Sequence, residues 1–72
     1  MHLNPHSLRA IREALGWSVS KFATAVETVP GHVSNIEAGR RNASPALVRR
    51  MARVLGVPVA AIVTAYEPGE VA

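Results

Sequence analysis

The sequence predicts an all-α domain of five short helices, and three observations carry that prediction. Apolar residues recur at helical spacing in one segment after another, with no alternating stretch of the kind that marks a strand. A capping residue precedes proline at Asn4-Pro5 and at Ser44-Pro45, the pairing that opens a helix. Gly16, Gly39 and Gly56 then stand where periodic segments end.

The first helix is expected over 5–15. Asn4 caps it, and Pro5 sits where a missing N–H costs nothing. Leu3 and Leu8 occupy the two positions of a hydrophobic staple, and Leu8, Ile11 and Leu15 mark one face. Ser18 caps a second helix over 19–26, with Trp17 and Phe22 as its staple and Phe22, Ala23 and Val26 on its inner face. Glu27-Thr28-Val29-Pro30 breaks the pattern, because a residue before proline is biased away from helix. Val33 and Ile36 share the inner face of a third helix over 30–38. After the polar connection Arg40-Arg41-Asn42-Ala43, a fourth helix carries Leu47, Val48, Met51, Val54 and Leu55 up to Gly56. The apolar segment from Val59 to about residue 65 is expected to be the fifth. Residues 1–66 are thus expected to form one domain, with 67–72 as a loose tail.

Composition removes whole classes of function. A chain of 72 residues is one small domain, and such a domain buries only roughly 60% of its unfolded surface. Alanine (12 residues) and valine (10) dominate and aromatics make up 4%, so the core is built of small side chains. Cysteine is absent, which excludes disulfides and thiolate metal sites. Asp and Gln are absent too, so neither a Ser-His-Asp triad nor a paired-Asp site exists. No acid stands at motif spacing from a histidine, and Gly31 and Gly39 are too isolated to form a phosphate loop. His2 and His6 alone make a poor metal site. Neither catalysis nor a cofactor is expected. The longest apolar run, Val57 to Val63, falls far short of the ~20 residues that span a bilayer. Met1 to Pro5 lacks the charged and apolar regions of a signal peptide, so a cytoplasmic location is expected.

Charge gives a positive clue. Eight basic residues, seven of them Arg, oppose five Glu, and two of those acids, Glu67 and Glu70, fall in the last six residues. Residues 1–66 therefore carry +5. An arginine-rich surface on so small a body suits a polyanion, since guanidinium grips phosphate as a fork.

The second and third helices meet the packing needs of a helix-turn-helix unit. Ala23 is small where the helices cross, Phe22, Val26, Val33 and Ile36 are apolar on the inner faces, and a basic loop follows. Here the chain resembles the lambda-repressor-like, XRE/Cro-type helix-turn-helix proteins. The resemblance runs without a gap over residues 8–62. It is carried by Leu15-Gly16-Trp17-Ser18, by Val33-Ser34-Asn35-Ile36-Glu37-Ala38-Gly39-Arg40-Arg41, and by Ala52-Arg53-Val54-Leu55-Gly56-Val57. It implies a five-helix DNA-binding domain whose third helix enters the major groove, usually as a symmetric dimer. It also implies an ion pair between Arg12 and Glu37. Three positions depart from the family. Val19 replaces a Gln that reaches phosphate, Glu27 replaces the turn Gly, and Val29 replaces the Ser or Thr cap of the third helix, with Thr28 adjacent to substitute for it.

Turning the third helix at 100° per residue with Val33 and Ile36 inward points Gly31, Asn35 and Ala38 outward, with His32 and Ser34 on the flanks. Gly31, His32, Ser34 and Asn35 are the expected base readers, Asn35 first, because its amide pairs bidentately with adenine. Ser18, Ser20 and Lys21 at the second helix, and Arg40, Arg41 and Asn42 after the third, are the expected phosphate contacts. At least one of Arg49, Arg50 and Arg53 is expected to lay its stem across the core rim.

These residues point to a minimal Cro- or repressor-type transcriptional regulator acting on double-stranded DNA in a bacterial or phage-infected cell. Val59, Ile62, Val63 and Tyr66 are candidates for a homodimer interface, with plain core as their other reading. An alternative is a protein-interaction module or antitoxin-like partner on the same fold. Salt dependence separates the two, because only a DNA binder releases counterions.

Overall fold

Four helices and one tight turn make up the computed structural model, which describes residues 2–64. The helices are α1 (Pro5–Ala14), α2 (Val19–Ala25), α3 (Pro30–Glu37) and α4 (Pro45–Leu55), followed by a single 3-10 turn, Val59–Ala61. Three of the helix starts are held by side-chain caps. The Asn4 carbonyl accepts from the amides of His6 and Ser7 at 3.1 and 3.2 Å. Ser18 accepts from Lys21 at 3.1 Å, and Ser44 from Leu47 at 3.2 Å. Before α2, Trp17 meets the Phe22 ring edge-on at 6.0 Å, closing the staple over the helix start.

The helix ends share one device. A left-handed residue follows the last turn, and its own amide and the next fold back onto carbonyls of that turn. At α1, Gly16 at φ +81° lets its own amide reach Glu13 and that of Trp17 reach Arg12, both at 3.0 Å. Gly39 and Gly56 do the same for α3 and α4. At α2 the left-handed residue is Glu27, at φ +64°.

The core is shared by all four helices. Leu8, Phe22, Ala23, Val26, Val33, Ile36, Val48 and Met51 are fully enclosed. Leu3 from the N-terminal segment and Ile62 beyond the turn seal its end. Ala23 has no exposed surface at all, consistent with the close approach of α2 to α3.

Four expectations are corrected. The fifth helix is no more than the 3-10 turn, because the chain leaves it at Ile62 to pair with the N-terminal segment. Asn4 donates to Ile62 and Thr64 to His2 at 2.9 and 2.7 Å, framing an isolated antiparallel bridge between Leu3 and Val63. A short run rich in β-branched residues fits either state, and the extended partner decided it. Ile62 is fully enclosed, so it is core and offers no surface to a second copy; Val59 and Val63 stay half-buried against the same core. Leu15 continues the inner face of α1 in angle, but burial fades from Leu8 through half-buried Ile11, and Leu15 is 55% exposed. Thr28 does not shift the start of α3. The cap position is Val29, with no side-chain cap and Pro30 following. Tyr66 and the tail at 67–72 lie outside the described residues.

Candidate nucleic-acid interface

The inward anchoring of Val33 and Ile36 fixes what α3 turns outward. Gly31, Ser34 and Ala38 are exposed, while His32 and Asn35 are half-buried, so Ser34 takes the outward place expected of Asn35 and Asn35 lies on the flank. Ser34 and Ala38 line a shallow cleft of about 250 Å³ together with Val19 at the start of α2. The outward side of α3 and the N-terminus of α2 therefore form one continuous surface. Ser18, Ser20 and Lys21 stand exposed at that end of α2. Ser18 has its oxygen committed to capping, which leaves its hydroxyl proton to donate outward.

Beyond α3 the chain brings Arg40, Arg41 and Asn42 together on an exposed connection. They line a second cleft, of about 370 Å³, against the N-terminal segment from His2 to Pro5. Asn42 accepts from the amide of Ala43 at 3.0 Å, so its amide nitrogen is the group left to donate. Arg40 reaches back to α3, where Nη1 donates to Asn35 Oδ1 at 3.2 Å.

The acids near this surface are answered one by one. Arg12 Nε and Nη2 grip both oxygens of Glu37 at 2.6 and 3.0 Å, and Nη1 donates to the carbonyl of Trp17 at 2.6 Å. Both side chains are only 7% exposed. The bonded Glu37 carboxylate raises the Arg12 guanidinium above its ordinary value, against the lowering effect of burial, and Glu13 at 3.8 Å pulls the same way. This clamp ties α1 to α3 and to the start of α2, so it sets the angle at which α3 is presented.

Glu27 is handled differently. Arg50 from α4 donates to the carbonyl of Val26 at 3.0 Å and stands 3.9 Å from Glu27 Oε2. It serves the last turn of α2, where a cation suits the helix dipole, and offsets the acid of the next residue. Sequence reasoning missed this pairing. Its residues lie 23 apart, and only the oddity of an acid at a glycine position hinted that a cation should be near.

Residues 6–64 match the helix-turn-helix domain family, and the chain belongs to that family. This agrees with the XRE/Cro-type resemblance carried by its motifs. No curated protein matches the chain significantly. Similar crystal structures include three of transcription-related proteins. The restriction-modification controller protein C.AhdI of Aeromonas hydrophila shares 26% identity at a TM-score of 0.76, over 79% of this chain and 86% of that one. The clp gene regulator ClgR of Corynebacterium glutamicum shares 32% at 0.75, over 78% of this chain, which spans 60% of that protein. A hypothetical transcription factor, NHTF, of Neisseria shares 27% at 0.78, over 83% and 69%. Among the described residues no helix is long and apolar enough to cross a membrane.

Proposed function

We propose that this protein is a sequence-specific DNA-binding transcriptional regulator that lays α3 in the major groove of an operator, as a Cro- or minimal repressor-type protein does. One observation carries the reading. Every acid among the described residues, Glu13, Glu27 and Glu37, has an arginine within 4 Å, at 3.3, 3.9 and 2.6 Å, whereas Lys21, Arg40 and Arg41 have no acidic partner there. The charge left unanswered among the described residues is positive: Lys21, Arg40 and Arg41 stand beside the outward face of α3, and Arg49 and Arg53 lie on α4. Family membership and likeness to two named regulators support the same reading.

In this reading Asn35, Ser34, His32 and the backbone at Gly31 meet base edges. Ser18, Ser20, Lys21, Arg40, Arg41 and Asn42 hold phosphates and fix register. Two copies would set their α3 helices one turn of DNA apart, roughly 34–36 Å. Val59, Val63 and Tyr66 are the residues we assign to pairing. Such a protein acts in the cytoplasm, with the nucleoid of a bacterial or phage-infected cell.

The test is selection from a randomised duplex library at two salt concentrations. A recovered palindrome with half-sites about one helical turn apart is the expected result. No enrichment even at low salt would overturn the reading and leave the protein-interaction alternative.

A further inference from the structure

The end of α3 does more than stop a helix. Gly39, at φ +78°, turns the chain back, and its amide donates to Ile36 at 3.0 Å. The next two amides, of Arg40 and Arg41, both donate to the carbonyl of Asn35, at 2.9 and 3.3 Å. This reversal lays the Arg40 side chain along α3, with Nη1 3.2 Å from Asn35 Oδ1. The same residue is thus held by Arg40 twice, once through its backbone and once through its amide.

A guanidinium has five donors and no acceptor. The group facing Arg40 must therefore be the amide oxygen, since a turned-over amide would set donor against donor. Asn35 is left with Nδ2 directed away from Arg40 and one remaining lone pair on Oδ1. That is the pattern an adenine edge needs, Nδ2 donating to N7 while Oδ1 accepts from the N6 amino group. A guanine edge offers two acceptors and would force Oδ1 against O6. Turning the amide over only sets Oδ1 against N7. An unrestrained amide therefore relieves the conflict by swinging Oδ1 out of the base plane and keeping a single bond through Nδ2. A held one does so only by losing Arg40.

We infer that Arg40 is a specificity-determining positioning residue, which fixes the Asn35 amide for adenine over guanine at one position of each half-site. The inference rests on the proposed entry of α3 into the major groove, and it goes beyond a phosphate contact for Arg40. Its neighbour supplies the control, because Arg41 is also exposed and cationic but makes no side-chain bond to Asn35 among the described interactions.

The experiment compares the full-length wild type with Arg40→Ala, Arg41→Ala, Asn35→Ala and the double variant Asn35→Ala/Arg40→Ala. Each is selected on randomised duplexes and then measured on the wild-type site with adenine or guanine at the identified position. All substituted positions lie at or near the surface, and helical circular dichroism checks that each variant folds. Wild type is expected to prefer adenine there by roughly 5- to 150-fold, the usual worth of a bidentate contact. Arg40→Ala should lose part of that preference, since a freed amide gains one bond to guanine, and Asn35→Ala all of it, the double variant losing no more than Asn35→Ala. Arg41→Ala should weaken binding to every sequence alike and keep the preference. Retention of the full wild-type adenine preference by Arg40→Ala would overturn the inference, leaving Arg40 a phosphate contact. Enrichment of nothing by the wild type is a separate failure, which removes the operator reading and the inference together.

Discussion

Glu37 sits at the end of α3 and Glu27 in the turn between α2 and α3, and each is met by an arginine, yet the two pairs do different jobs. Arg12 and Glu37 are 7% exposed, joined by two hydrogen bonds, and tie three helices together. Arg50 and Glu27 are 36% and 79% exposed and only 3.9 Å apart, and the firm bond of that arginine goes to the Val26 carbonyl. The first pair is a structural clamp, in which each charge depends on the other for its place out of water. The second cancels a charge beside a strained turn. Counting both as salt bridges would hide the distinction. Burial decides which of them the fold needs.

The comparison breaks most visibly at the clamp. Removing one partner strands a buried charge, so Glu37→Ala or Arg12→Ala should cost about 3–5 kcal/mol, a large share of the stability of so small a domain. Urea denaturation of each variant measures this. Replacing both residues by Leu should recover most of the loss. Full stability in either single variant would show the clamp to be ornamental. The shift on Arg12 also fixes a sign. A raised value means that the contribution of its proton is complete below the ordinary guanidinium value and is lost only as pH rises beyond the folded one. Stability should then show no loss traceable to Arg12 between about pH 5 and 11.

Smaller effects sharpen the contrast. Arg50→Ala removes a hydrogen bond to a helix end and a loose ion pair, and should cost about 1 kcal/mol in thermal unfolding. Glu27→Gly runs the other way. A β-carbon at φ +64° strains the backbone by roughly 1–2 kcal/mol, partly offset by the greater unfolded freedom of glycine. A gain of about 0.5–1 kcal/mol is expected, and a loss would mean that the Arg50 contact outweighs the strain.

Much of this architecture was legible in the sequence, because its signals are local. Asn4-Pro5, Ser18 and Ser44-Pro45 name three helix starts through bonds that span two or three residues. The angular position of Val33 and Ile36 turns Gly31 and Ala38 outward, but it did not show that Ser34 would be exposed and Asn35 half-buried. What escaped depends on partners distant in sequence or on rotamers. Val59 to Val63 reads as helix until Leu3 is known to lie beside it in extended form. Arg50 gives no sign on α4 that it reaches the end of α2. The bond from Arg40 to Asn35 needs the reversal at Gly39 before the two side chains can meet.

The claim on which the rest depends is that unpaired positive charge flanking α3 meets DNA phosphate. Equilibrium binding of the wild type and of Arg41→Ala to the selected duplex, titrated from about 50 to 200 mM salt, tests it directly. If Lys21, Arg40 and Arg41 each neutralise one phosphate, log K should fall against log salt with a slope of about −2.7 per bound copy. Arg41→Ala should flatten that slope by about one unit per copy. An affinity indifferent to salt, or a slope unchanged by loss of Arg41, would contradict the account.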